Sequence, residues 1–169
     1  MDRLRAYAIL QNNCCHDPYV LAKAVAISMQ SLETFRIELP ARYRYLLVVS
    51  ASIEAILSRL EGINIGPDTI YQLQLAAHEL CNNVIEHAYG DEEGRLELLI
   101  TLDQQLPSFI LDLYDTGQPC DLTAVASPDL ENPQVRGYGL FLARQLSDEL
   151  HYERLAERNH WQLIKALKY

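Results

Sequence analysis

The sequence predicts an α+β fold, a two-layer α/β sandwich whose mixed, mostly antiparallel sheet carries its helices on one face. Three observations lead there. Residues 43–60 and 67–88 repeat apolar side chains at three- and four-residue steps, the period of a helix with one buried stripe. Five shorter stretches, at 33–39, 95–102, 108–114, 150–155 and 161–167, read as strands. The resulting order, β-α-α-β-β-loop-α-β-β, groups strands in runs instead of alternating them singly with helices, which favours an α+β sandwich over a parallel sheet.

Each element has its local reason. Glu33 to Leu39 (ETFRIEL) alternates polar and apolar residues and ends at Pro40, which cannot donate to a ladder. The first helix carries Leu46, Val49, Ile53, Ile56, Leu57 and Leu60 on one stripe and stops at Gly62. Gly66-Pro67-Asp68 opens the second, with proline suited to a first helical turn, and its stripe is Leu73, Ala77, Leu80, Val84 and Ala88. The strands at 95–102 and 108–114 are joined by a polar turn around Gln104-Gln105. Residues 117–136 hold three prolines and little periodicity, the mark of a long loop, and such loops in compact domains are usually functional lids. A helix from Gly139 to Leu150 and a closing hairpin complete the chain.

At 169 residues the chain suits one domain of 33–169 preceded by an extension of 1–32, helical from about residue 20 after the start signal Asp17-Pro18. The net charge of -9 argues against a sequence-independent nucleic-acid surface, so proteins are the expected partners. No apolar run approaches the ~18 residues of a membrane helix, and the N-terminus does not read as a signal peptide. Cysteines at 14, 15, 81 and 120 lack CxxC or Cys/His spacing, which points to reduced thiols and a cytoplasmic protein.

Three segments carry chemistry. In LAAHELCNNVIEHAYG, the residues Glu79, Asn83 and His87 stand four apart, so a continuous α-helix would align them on one face. That face offers a carboxylate to a hydroxyl or water and an amide oxygen to a hard cation such as nucleotide-bound magnesium. In LDLYDTGQPCD, Asp115 ends an apolar strand and Gly117 turns the chain, a pair able to accept a hydrogen bond from an adenine amine at close backbone approach. In RGYGLFLARQLSDEL, Gly137 and Gly139 precede an amphipathic helix whose free N–H groups favour anions. Each segment alone also fits a plain helix face, turn or helix entry. No Walker loop GxxxxGK[ST] occurs.

Taken jointly and in order, the three segments resemble the N, G1 and G2 boxes of the GHKL superfamily of ATP-binding domains, across about residues 33–169. EHAY, DTGQPCD and GYGLFLARQLSDEL look most like the anti-sigma factor serine/threonine kinases within it. The resemblance implies the Bergerat (GHKL) ATPase fold and ATP with Mg2+ as cofactors. It implies Glu79 as general base, Asn83 as the Mg2+ ligand, and His87 near the phosphates or lid. It implies Asp115 reading adenine, Gly117 giving the ring room, and Gly137, Tyr138, Gly139 and Leu140 supplying phosphate-binding amides, with Arg136 neutralising charge on the transferring group.

The implied partners are a sigma factor and a STAS-type anti-sigma antagonist, phosphorylated on serine to break one complex and free the kinase for the other. A homodimer is expected; direct nucleic-acid or membrane contact is not. The family often has a Gly-Thr pair near the last strand, and here that stretch reads Glu157-Arg158-Asn159-His160-Trp161. This departure keeps open a second reading, a catalytically weak ATP-binding module that regulates a sigma factor or other response protein by partner capture. ATP hydrolysis by water is a third, disfavoured by the short chain.

Overall fold

The computed structural model describes residues 32–60, 62–103, 106–120 and 138–167. The helical extension from about residue 20, the turn at 104–105, most of the long loop, and Arg136 and Gly137 lie outside them. Strand β1 spans Leu32–Pro40 and is followed by a 3-10 turn, Tyr43–Tyr45. Helix α1 covers Leu46–Leu57, α2 covers Pro67–Asn83, and a π-helical turn runs through Val84–Tyr89. Then come β2 (Arg95–Asp103), β3 (Ser108–Asp115), α3 (Gly139–Leu146), β4 (Glu149–Leu155) and β5 (Arg158–Ala166).

The strands form one sheet in the order β1-β2-β3-β5-β4. Every described pairing is antiparallel, so the parallel component of the expected mixed sheet is not present among these strands. The connections explain why. Between β1 and β2 the chain passes through two helices, three changes of direction in all, and re-enters the sheet opposite to its first direction. After β3, the last two strands form a hairpin whose second strand inserts beside β3.

Alternation along the strands sends one set of side chains to the helices. Leu96, Leu98, Ile100 and Leu102 of β2, Phe109, Leu111 and Leu113 of β3, and Trp161 and Leu163 of β5 are buried there. They meet Leu46, Val49, Ile53 and Leu57 of α1 and Leu73, Ala76, Ala77, Leu80 and Cys81 of α2. Helix α2 lies between α1 and α3, so the predicted stripe is the centre of the helical layer. The outer face is polar: His160 stacks on Tyr114 at 4.5 Å and places Nε2 2.8 Å from Asp112 Oδ1.

Two helices end earlier than expected, and β5 begins at Arg158 where the sequence reading starts the strand at Trp161. The first helix begins with a 3-10 turn and stops at Leu57, where the Ser58 hydroxyl donates to the Glu54 carbonyl. The third ends at Leu146, four residues early. Ser147 bonds back to the Ala143 carbonyl, while Asp148 donates its N–H to Ile164 and accepts one from Ala166. These bonds draw the chain into the sheet, where β4 starts at Glu149.

Candidate functional site

Helix α2 brings Glu79 and Asn83, one turn apart and both half-buried, to its C-terminal end. At Val84 the helix changes to π register instead of continuing as α to Ala88. The widened turn breaks the straight line of Glu79, Asn83 and His87 that unbroken α spacing predicts, and His87 is exposed. Such π turns are rare and frequent at functional sites. Here the turn serves a docking purpose. The Tyr89 hydroxyl donates to the Arg95 carbonyl at 2.9 Å and accepts the Thr116 N–H at 2.9 Å. The Ala88 carbonyl accepts the Gln118 N–H at 2.8 Å.

These bonds hold the turn after β3 against the end of the π-helical segment. They also give Gly117 its reason: a Cβ there would stand 2.5 Å from the Ala88 carbonyl oxygen. Gly94 is glycine for a similar cause, since its Cβ would fall 2.2 Å from the Tyr89 ring.

Asp115, the last residue of β3, is only 2% exposed. Its Oδ1 accepts the Gly117 N–H at 2.9 Å and the Asn159 Nδ2–H at 2.7 Å. Its Oδ2 is buried and has no hydrogen-bond partner among the described residues. Burial pushes the carboxyl above its ordinary range, opposed by the Asn159 and Gly117 hydrogen bonds and by the charge of Arg154. A buried acceptor without a described partner is costly in a folded protein and calls for an explanation, of which a donor on a ligand is one.

The N-terminus of α3 lies beside Glu79. A Cβ on Gly139 would come 2.8 Å from Glu79 Oε2, so the carboxylate stands over the start of the helix. Tyr138 occupies the N-cap, and its hydroxyl is the other buried side-chain atom without a partner among the described residues. Leu140 is buried in the core, so its side chain packs and only its backbone is left to face a ligand. Helix start, glycine and carboxylate thus form a cradle in which free helix N-terminal amides and the Glu79 carboxylate sit together.

The structure therefore brings Glu79, Tyr138 and Gly139 together, and Asp115 and Gly117 together, with Asn83 one turn beyond Glu79. Asn159, Tyr89, Tyr152 and Arg154 were missed in the sequence. Asn159 stands directly across the β3–β5 ladder from Asp115, a relation visible only once the strands are paired. No group of three or more His, Cys, Asp or Glu side chains among the described residues could hold a metal ion. A magnesium ion carried in on a nucleotide needs only one or two protein oxygens, and the Asn83 amide oxygen could serve as one.

Residues 39–165 match the histidine kinase-like ATPase domain. The chain belongs to that family. Among curated relatives it is 30% identical over 126 residues to the serine-protein kinase RsbW of Halalkalibacterium halodurans, covering 70% of this chain and 74% of that one. It is 22% identical over 130 residues to RsbW of Bacillus cereus, covering 72% and 78%. A crystal structure of the RsbU and RsbW domains of a Mycobacterium tuberculosis protein shares the fold, with a TM-score of 0.58 over 80% of this chain. Identity there is 19%, and this chain spans 32% of that longer one. Membership of an ATPase domain family implies a site for ATP.

Proposed function

We propose that this protein is an ATP-dependent serine kinase of the anti-sigma factor type, with residues 33–169 as its kinase domain. The observation that carries the reading is the Asp115 carboxylate, one oxygen saturated and the other buried and waiting for a donor. An exocyclic amine such as that of adenine supplies such a donor. Asp115 then identifies the base, and the backbone amides at Gly139 and Leu140, with those of Gly137, receive phosphate. Arg136 offsets charge on the group in transit, His87 stands at the exposed rim, and Asn83 offers its amide oxygen to Mg2+.

Magnesium, when bound with the nucleotide, would supply charge neutralisation at the phosphates, and the Asn83 amide oxygen is the group that would hold it. Glu79 takes the proton of an incoming serine hydroxyl, whose oxygen forms a bond to the γ-phosphorus as the bond to the ADP oxygen breaks. The free amides at the start of α3, beside Glu79, stabilise the negative charge of the transferring phosphoryl group. The expected acceptor is a STAS-type anti-sigma antagonist and the alternate partner a sigma factor, in a cytoplasmic partner switch.

The catalytically weak alternative rested on the absent Gly-Thr pair. Asn159 sits in that stretch and makes a 2.7 Å bond to Asp115, which supports nucleotide binding in either reading. The test uses isothermal titration with Mg-ATP and mass spectrometry of a purified STAS antagonist. Wild type should bind and yield phosphoserine. Glu79→Ala should bind ATP but lose transfer by about 10²–10⁴-fold. Binding without any phosphoserine in the wild type would replace the kinase with the partner-capture module.

A further inference from the structure

We infer that Asn159 is the positioning residue that aims Asp115 at the nucleobase, and that Tyr152 and Arg154 of the neighbouring strand act on the site through it. The inference rests on the nucleotide-site reading above and deepens it.

The geometry around Asn159 leaves its amide one orientation. Oδ1 accepts from the Tyr152 hydroxyl and from Arg154 Nη1, both at 2.8 Å. Nδ2 donates to Asp115 Oδ1 at 2.7 Å and faces the carbonyls of Gln118 at 3.1 Å and Gly117 at 3.3 Å. A flipped amide would set oxygen against three acceptors and nitrogen against two donors, so the neighbours fix the assignment. The residue is 1% exposed, and water does not compete for these bonds.

The consequence falls on Asp115. With Oδ1 held by both Asn159 and the Gly117 N–H, the carboxylate plane is set and Oδ2 is the atom left to recognise a ligand. The same amide secures the approach on the far side. Arg154 Nη1 also reaches the Gly117 carbonyl at 3.1 Å, and the Tyr152 hydroxyl accepts the Cys120 N–H at 2.8 Å. Asn159 is thus the hub through which the β4–β5 hairpin grips residues 117–120. A threonine hydroxyl has one donor and two acceptor sites and could not fill all five contacts. An amide at this position ties the hairpin to the base-reading carboxylate in a way a hydroxyl would not.

Asn159 also helps keep Asp115 ionised, because a hydrogen bond to the charged form opposes the upward push of burial. That gives a readout distinct from mere folding. Adenine recognition through an accepting carboxylate weakens as pH falls and Asp115 takes a proton. Removing the Asn159 amide raises the pH at which this happens.

The experiment is ATP titration across pH for wild type, Asn159→Ala, Asn159→Thr and Arg154→Gln, with the folded fraction of each fixed by circular dichroism. Asn159→Ala should bind ATP about tenfold more weakly at neutral pH, with the acid midpoint of affinity displaced upward. Asn159→Thr should return the midpoint part-way. Arg154→Gln, an exposed change that spares the core, should shift it upward by less. Variants with wild-type affinity and midpoint would overturn the inference, as would a uniform loss at every pH with no displaced midpoint. Absence of ATP binding in the wild type would instead bring down the nucleotide-site reading itself.

Discussion

Asp115 is the residue on which opposing forces meet. Burial favours its neutral form, while the adenine amine proposed for it calls for an acceptor. Because its folded pKa lies above its unfolded one, the folded state holds the proton more tightly. Unliganded stability from this group therefore falls as pH rises from the ordinary value of 3.8 through the raised folded value. Asp115→Asn should flatten that slope in thermal melts, leave the unliganded protein at least as stable at neutral pH, and abolish ATP binding in titration. Gly139→Ala tests the neighbouring cradle. Its methyl would crowd the end of the Glu79 side chain, 2.8 Å away, while the Glu79 carbonyl stays at an ordinary 3.7 Å, so the melting temperature should change little while phosphoryl transfer falls as the carboxylate is displaced.

Among elements, the π turn sets how the site is assembled. Tyr89→Phe deprives both the Thr116 N–H and the Arg95 carbonyl of a partner, and should lower stability by about 1–3 kcal/mol in denaturant titrations. Gly117→Ala drives a methyl into the Ala88 backbone, which cannot rotate away, and should cost about as much while also weakening ATP binding. The α1 and α2 stripes were legible in the sequence because burial on a helix leaves a period, and Leu73, Ala77, Leu80 and Val84 are all buried as that period requires. The π register was not, since a one-residue change of phase near a helix end leaves apolar spacing nearly intact. Glu79, Asp115 and Gly139 were legible as chemistry because each sits beside its own signal of helix, strand end or glycine. Asn159 was hidden because its meaning comes from a strand partner 44 residues away.

Across the whole molecule, the helical layer seals the side chains beneath it. Cys81 is fully buried on α2, and desolvation pushes its thiol up to about 12. It should resist iodoacetamide at pH 8 in the native protein and react only when α2 opens from the sheet. Saturating Mg-ATP should slow that labelling by the factor 1 + [ATP]/Kd if opening destroys the site, a rate read by mass spectrometry. Unchanged labelling would mean that α2 opens without disturbing the nucleotide.

The Asp115–Asn159 bond ties β3 to the last strand of the sheet. On the ribosome, Asp115 emerges well before the strand that must aim it, so the nascent chain carries a base reader with no fixed sight until β5 has left the tunnel. Nucleotide capture by the proposed site would then report that synthesis has passed β5, and a chain cut short before residue 158 would be left without the ligand that protects the longer chain from proteases.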